Sequence, residues 1–153
     1  MPIAVGQPAP DFTLKDQHQK DIKLSDFAGK RNVVLMFYPL DFSPICTNEH
    51  ACFVNDLKQF EKLDAQVLGL SVDSVWAHKA FADKMGISYP LLADFQPRGA
   101  VADRFGMYLA DKGITGRAIA IINKGGKIAW FKNYDIPVVP DMNEVAQALA
   151  GVK

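Results

Sequence analysis

Apolar positions along the chain change their period several times, and each change marks an element. Between Asp11 and Phe27 they alternate, Phe12 and Leu14 and then Ile22 and Leu24, on either side of a polar turn, which predicts a β-hairpin. NVVLMFY, Asn32 to Tyr38, is an unbroken apolar run, as expected of a strand buried on both faces. A long helix should follow from Ser43 to about Leu63, and QVLGLSV, Gln66 to Val72, is the next buried strand. Asp73 or Ser74 then caps a helix running to Met85 and stopped by Gly86, and Pro97 to Phe105 forms a shorter helix ending at Gly106. AIAIIN and KIAWFK flank Lys124-Gly125-Gly126, a hairpin turn signal, and a last helix spans Asp141 to Ala150 before Gly151.

The order β-α-β-α-α-β-β-α behind an N-terminal hairpin describes an α/β fold, helices packed around a mixed central sheet. A thioredoxin-like topology with an N-terminal β-hairpin extension fits that order. The chain shows no repeat or linker, so one domain is expected across residues 1–153. A chain of this size buries roughly two-thirds of its surface and needs no disulfide or metal to fold. Seventeen basic residues balance seventeen acidic ones, with no long run of one sign, which argues against nucleic acid or an anionic membrane as partner. The N-terminus MPIAVGQPAPDF carries no signal-peptide pattern, and no stretch approaches the length of a membrane span. Two cysteines are too few for a disulfide framework and suggest a reducing compartment; a cytoplasmic protein is expected.

Chemistry concentrates around Cys46. Ser43-Pro44 starts the long helix, with serine at the N-cap and proline at the first helical position. Cys46 then falls in the first turn, where backbone N–H groups lack intrahelical partners and the positive end of the helix dipole lies. A free cysteine titrates near ~8.5, and helix N-termini or nearby cations bring thiols to ~7.5 or lower. Such a position favours the thiolate, which is the nucleophile. At about 100° per residue, Cys46, His50, Phe53, Leu57 and Phe60 share one stripe facing the core. Cys46 is thus expected at the floor of a shallow, partly dry pocket, although a small core cysteine would occupy the same face.

Pro39-x-x-x-Ser43-x-x-Cys46 resembles the active-site pattern of the peroxiredoxin family. The similarity continues through VGQPAPDFTLKDQ, GLSVDS, YPLLADF and GITGRAIAIIN, and is greatest to the AhpE-like one-cysteine group, with the Q group (bacterioferritin comigratory protein) next. The resemblance implies a thiol-dependent peroxidase acting on hydrogen peroxide and organic hydroperoxides. Cys46 would be the peroxidatic cysteine, attacking the distal peroxide oxygen and becoming sulfenic acid. Ser43 would hydrogen-bond the peroxide, Pro39 would shield the sulfur from water, and Arg117 would be the cation beside the thiolate. Glu49 matches a glutamate found three residues after the cysteine and takes a supporting role; by itself it reads equally as a solvated helix carboxylate. No metal or organic cofactor is implied. The implied partners are a peroxide, an external thiol reductant (thioredoxin, or a glutaredoxin-like or small-thiol system) and a second copy in a homodimer, with the loop carrying Phe42 near its interface.

Cys52 departs from the pattern. The one-cysteine group needs no partner, and the Q group's resolving cysteine usually follows five residues after the first, whereas here the interval is six. On an intact helix six residues mean about 9 Å of rise and about 120° of rotation, and a disulfide wants Cα atoms within roughly 7 Å. Cys52 is therefore either a resolving cysteine that acts after unwinding or an inert apolar residue. Two other classes compete. Cys46 and His50 at i, i+4 with Asp41 nearby could begin a metal site, although a closed zinc site wants four ligands. A non-catalytic interaction module of the same fold is the other. His18 and His78 read as solvent-facing residues in a turn and a helix. A thioredoxin-type C-x-x-C is missing.

Overall fold

A computed structural model describes residues 3–152. Strands β1 (Thr13–Lys15) and β2 (Asp21–Lys23) form the hairpin, pairing Leu14 with Ile22, and a short 3-10 turn over Leu24–Phe27 follows. The central sheet contains β3 (Asn32–Phe37), β4 (Ala65–Ser71), β5 (Leu91–Ala93), β8 (Arg117–Ile122) and β9 (Ile128–Tyr134). Its order is β5-β4-β3-β8-β9, with β3, β4 and β5 parallel and β8 and β9 antiparallel to their neighbours. The helices are α1 (Pro44–Lys62), α2 (Val75–Met85), α3 (Ala100–Arg104) and α4 (Met142–Ala150). This is the thioredoxin-like mixed sheet flanked by helices.

The continuous apolar run of β3 divides by strand alternation. Val33, Leu35 and Phe37 pack with Phe12, Leu24, Val101 and Phe105 on one face. Val34, Met36 and, just past the strand, Tyr38 pack with Phe53 and Phe60 of α1, Phe81 of α2 and Leu149 of α4 on the other. Both faces are dry, which is why no polar position interrupts the run. β3 sits at the centre of the sheet, and its C-terminal end delivers the chain into the loop before α1.

The structure adds elements that the periodicity did not predict. β5 is a three-residue strand inside YPLLADF, and β6 (Tyr108–Leu109) pairs with β7 (Ile114–Thr115) in a two-stranded ribbon. All three are too short to carry a period of their own. The helix expected over residues 97–105 is confined to Ala100–Arg104, because Gly99 at φ 71° breaks the helical backbone before it. α2 is capped by Ser74, whose Oγ accepts from the Ala77 amide at 3.1 Å, and ends at Gly86 with φ 68°. His18 lies exposed in its turn, as expected. His78 does not: it is fully buried, because α2 turns the stripe His78, Phe81 and Ala82 toward the sheet.

Candidate active site

The site is built where β3 ends and α1 begins. Ser43 occupies the N-cap in an extended conformation (φ −67°, ψ 149°), and Pro44 opens the helix. The Ser43 side chain does not cap: its Oγ donates to the Leu40 carbonyl at 2.9 Å, because the left-handed turn at Phe42 (φ 67°) brings that carbonyl beneath the hydroxyl. The Ile45 and Cys46 amides therefore have neither an intrahelical acceptor nor a side-chain cap, and face the start of the helix free. Pro39 is buried at the end of β3. Cys46 is fully buried as well, so its sulfur is covered rather than lying at the floor of an open pocket.

Arg117 enters from β8, the antiparallel neighbour of β3, and is itself buried. Its Nη2 donates to Cys46 Sγ at 3.3 Å, its Nη1 to Glu49 Oε1, and its Nε to the Ile136 carbonyl at 2.9 Å. Three anchors leave the guanidinium one orientation, with a positive charge against the sulfur. Glu49 lies one turn along α1 from Cys46 and is buried, not solvated. Burial pushes its carboxyl up to about 8, with the Arg117 charge pulling the other way. The helix stripe through Cys46 behaves as the periodicity predicted: Cys46, His50, Phe53 and Phe60 are buried, and Leu57 is partly so.

The candidate metal trio Cys46, His50 and Asp41 is not gathered. His50 Nδ1 lies 2.6 Å from the Tyr89 hydroxyl, and burial holds the ring neutral, its pKa pushed down to about 3. Asp41 instead faces His78 at 2.7 Å. Asp41, Asp73 and His78 do place ligand atoms within 4.8 Å of one another. Those atoms are engaged in hydrogen bonds with Tyr38, Ser71, the Asp41 amide and the Leu92 carbonyl. Sequence reasoning missed this polar cluster; the three-residue interval between His78 and the apolar Phe81 was the signal that His78 turns inward. Cys52 is a free thiol, half-buried on α1 and set beside Asn55, Asp56 and the Pro140–Asn143 segment.

A thioredoxin-like fold that seats a cysteine in the first turn of a helix, against a buried arginine, defines a thiol-dependent peroxidase. Residues 5–131 match the AhpC/TSA family, and the chain belongs to that family, the peroxiredoxins. It is 36% identical over 150 residues to alkyl hydroperoxide reductase E of Mycobacterium tuberculosis, covering 98% of each chain. It is 40% identical over 159 residues to the chloroplastic 2-Cys peroxiredoxin BAS1 of Hordeum vulgare, covering 97% of this chain and 75% of that one. The solved structure of peroxidoxin BcpB from Mycobacterium tuberculosis superposes with a TM-score of 0.87 at 28% identity, over 99% of both chains. The first of these relatives bears out the resemblance to the AhpE-like group. A family of this kind implies a peroxide substrate and a thiol reductant. Among the described residues no helix is long and apolar enough to cross a membrane.

Proposed function

We propose that Cys46 is the peroxidatic residue of this peroxidase, on the strength of one observation: Arg117 Nη2 lies 3.3 Å from its sulfur in the uncapped first turn of α1. The Cys46 thiolate attacks the distal oxygen of a hydroperoxide. The S–O bond forms as the O–O bond breaks, giving sulfenic acid and an alkoxide or hydroxide that takes up a proton. The free amides of the first turn and the Arg117 guanidinium stabilise charge on both the attacking sulfur and the departing oxygen. Ser43 Oγ already donates to the Leu40 carbonyl, so its lone pairs are free to accept a hydrogen bond from the peroxide O–H. Pro39 closes the site on the β3 side, and Glu49 fixes the Arg117 fork from α1.

A thiol reductant then attacks the sulfenic sulfur, releasing water and forming a mixed disulfide that a second thiol opens. Thioredoxin and a glutaredoxin-like or small-thiol system are both open as donors. The expected setting is the cytoplasm, in keeping with two unpaired cysteines among the described residues. Peroxide consumption under thiol supply tests the assignment: Cys46→Ser should lose turnover, while Cys52→Ser should retain the peroxide step. Full activity in Cys46→Ser would remove Cys46 from the mechanism. The protein is also proposed to be a homodimer through the face bearing Phe42 and Leu40, which the fold leaves exposed. Sedimentation velocity should give a two-chain mass, and a monomer at micromolar concentration would count against it.

A further inference from the structure

Phe42, immediately before the cap of α1, has φ 67°, a backbone conformation that costs a bulky residue free energy and persists only where its surroundings enforce it. Two anchors flank the strained turn. The Phe42 ring packs edge-on against Phe81 of α2, with centroids 5.0 Å apart. Asp41 is the other anchor, and it is buried. Its Oδ1 accepts from the Tyr38 hydroxyl at 2.6 Å, its Oδ2 faces His78 Nδ1 at 2.7 Å, and its backbone N–H donates to Asp73 Oδ2 at 2.8 Å. Asp73 Oδ2 is held in turn by the Ser71 hydroxyl at 2.6 Å. His78 Nε2 lies 3.1 Å from the Leu92 carbonyl, so each ring nitrogen faces an oxygen acceptor. A hydrogen bond donated by His78 Nδ1–H to the Asp41 carboxylate is charge-assisted by the carboxylate. His78 thus ties the loop before α1 to α2 and to β5, adding a polar link to the Phe42–Phe81 contact.

We propose that the buried His78–Asp41 pair is a positioning device for the peroxidase reaction: it clamps the strained Phe42 turn and so holds the first turn of α1, with Cys46 seated against Arg117. The inference rests on the reading of Cys46 as nucleophile, but the clamp itself is measurable without peroxide. Released, the Phe42 turn relaxes toward an ordinary backbone and the first turn of α1 frays. Cys46 then becomes more accessible to solvent and loses its fixed cation together with the first-turn amides. Accessibility and peroxide reactivity should therefore move in opposite directions, and unchanged exchange in β3 and β4 separates this from general loosening of the core.

The test compares the wild type with His78→Gln and Asp41→Asn; each variant reads the clamp by itself, since loss of one partner of a buried pair can compromise folding. Hydrogen exchange over residues 40–47 should rise about tenfold or more, the loss expected for a charged hydrogen bond, while the β3 and β4 amides keep wild-type rates. Alkylation of Cys46 by iodoacetamide, with Cys52→Ser in the background, should quicken, and stopped-flow oxidation of Cys46 by hydrogen peroxide should slow about tenfold. Wild-type exchange in the loop, exchange that rises equally in β3 and β4, or alkylation and oxidation that fall together would each overturn the clamp. If the wild-type Cys46 proves inert to peroxide, the peroxidase assignment fails. The exchange and alkylation arms then still decide the clamp.

Discussion

At the scale of single residues, the site depends on one guanidinium with three fixed partners. Arg117 cannot swing away, because Ile136, Glu49 and Cys46 occupy its three faces of approach. It is therefore a fixed charge aimed at the sulfur rather than a mobile surface cation. Truncation as Arg117→Ala should slow Cys46 oxidation by about 10²-fold, the usual cost of removing one preorganised donor from a reacting centre. It also leaves the Glu49 carboxyl buried without its hydrogen-bond partner, since among the described residues Oε1 bonds Arg117 alone and Oε2 has no partner. Arg117→Lys keeps the charge but loses the fork, and should recover only part of the rate. Stopped-flow oxidation of the two variants checks the order; a wild-type rate in Arg117→Ala would take the residue out of the site.

At the scale of elements, the continuity of α1 decides what Cys52 can do. The helix is unbroken over Pro44–Lys62 and packs along its length, with Phe53 and Phe60 in the core. Cys46 and Cys52 are consequently held apart by about 9 Å of helical rise. Direct bonding requires the first turns to open, so sulfenic acid should form first and persist before any disulfide appears. Non-reducing intact mass spectrometry after one equivalent of peroxide distinguishes the outcomes. Added oxygen on Cys46 is the first product expected, followed by loss of two hydrogens if Cys52 resolves it within the chain. A sulfenic acid equally long-lived in wild type and Cys52→Ser would rule out resolution by Cys52 and leave reduction to an external thiol. A long-lived sulfenic acid is also the form exposed to over-oxidation at high peroxide.

For the whole molecule, stability against acid carries the signature of a buried neutral imidazole. His50 lies in the core between Tyr38, Phe81 and Tyr89, and burial pushes its pKa down to about 3 from the ordinary 6.5. Between those values the unfolded chain binds a proton that the folded chain refuses. His50 therefore contributes stability that is present above pH 6.5 and is lost as the pH falls toward about 3. Glu49 has the opposite sign: its raised folded pKa lets the native protein take up a proton between about 8 and 4.5, which offsets part of that loss. The difference between wild type and His50→Gln isolates the histidine. Chemical unfolding at stepped pH should show the variant gaining on the wild type by up to about 1.4 kcal/mol per pH unit below 6.5. Parallel curves would show that His50 does not titrate with folding.

Legibility from the sequence tracked the range of the interactions involved. The apolar run of β3, the Ser43-Pro44 helix start, the stripe Cys46, His50, Phe53, Phe60 and the Gly86 stop are local patterns, and local patterns carry backbone preference and facing directly. By itself the sequence therefore determined the order of the longer elements, the helix-start placement of the reactive cysteine and, through its motif, the family. The Ser43 side chain turned to Leu40 instead of capping, because the αL backbone of Phe42 redirected it. The short strands β5, β6 and β7 exist only because neighbouring strands complete their hydrogen bonds. Glu49 and His78 look like surface residues along the chain, and only Arg117, 68 residues from Glu49, and Asp41, 37 residues from His78, make their burial possible. Which buried charges find a partner is decided across the sheet, where sequence distance carries no information, and that choice belonged to the tertiary structure alone.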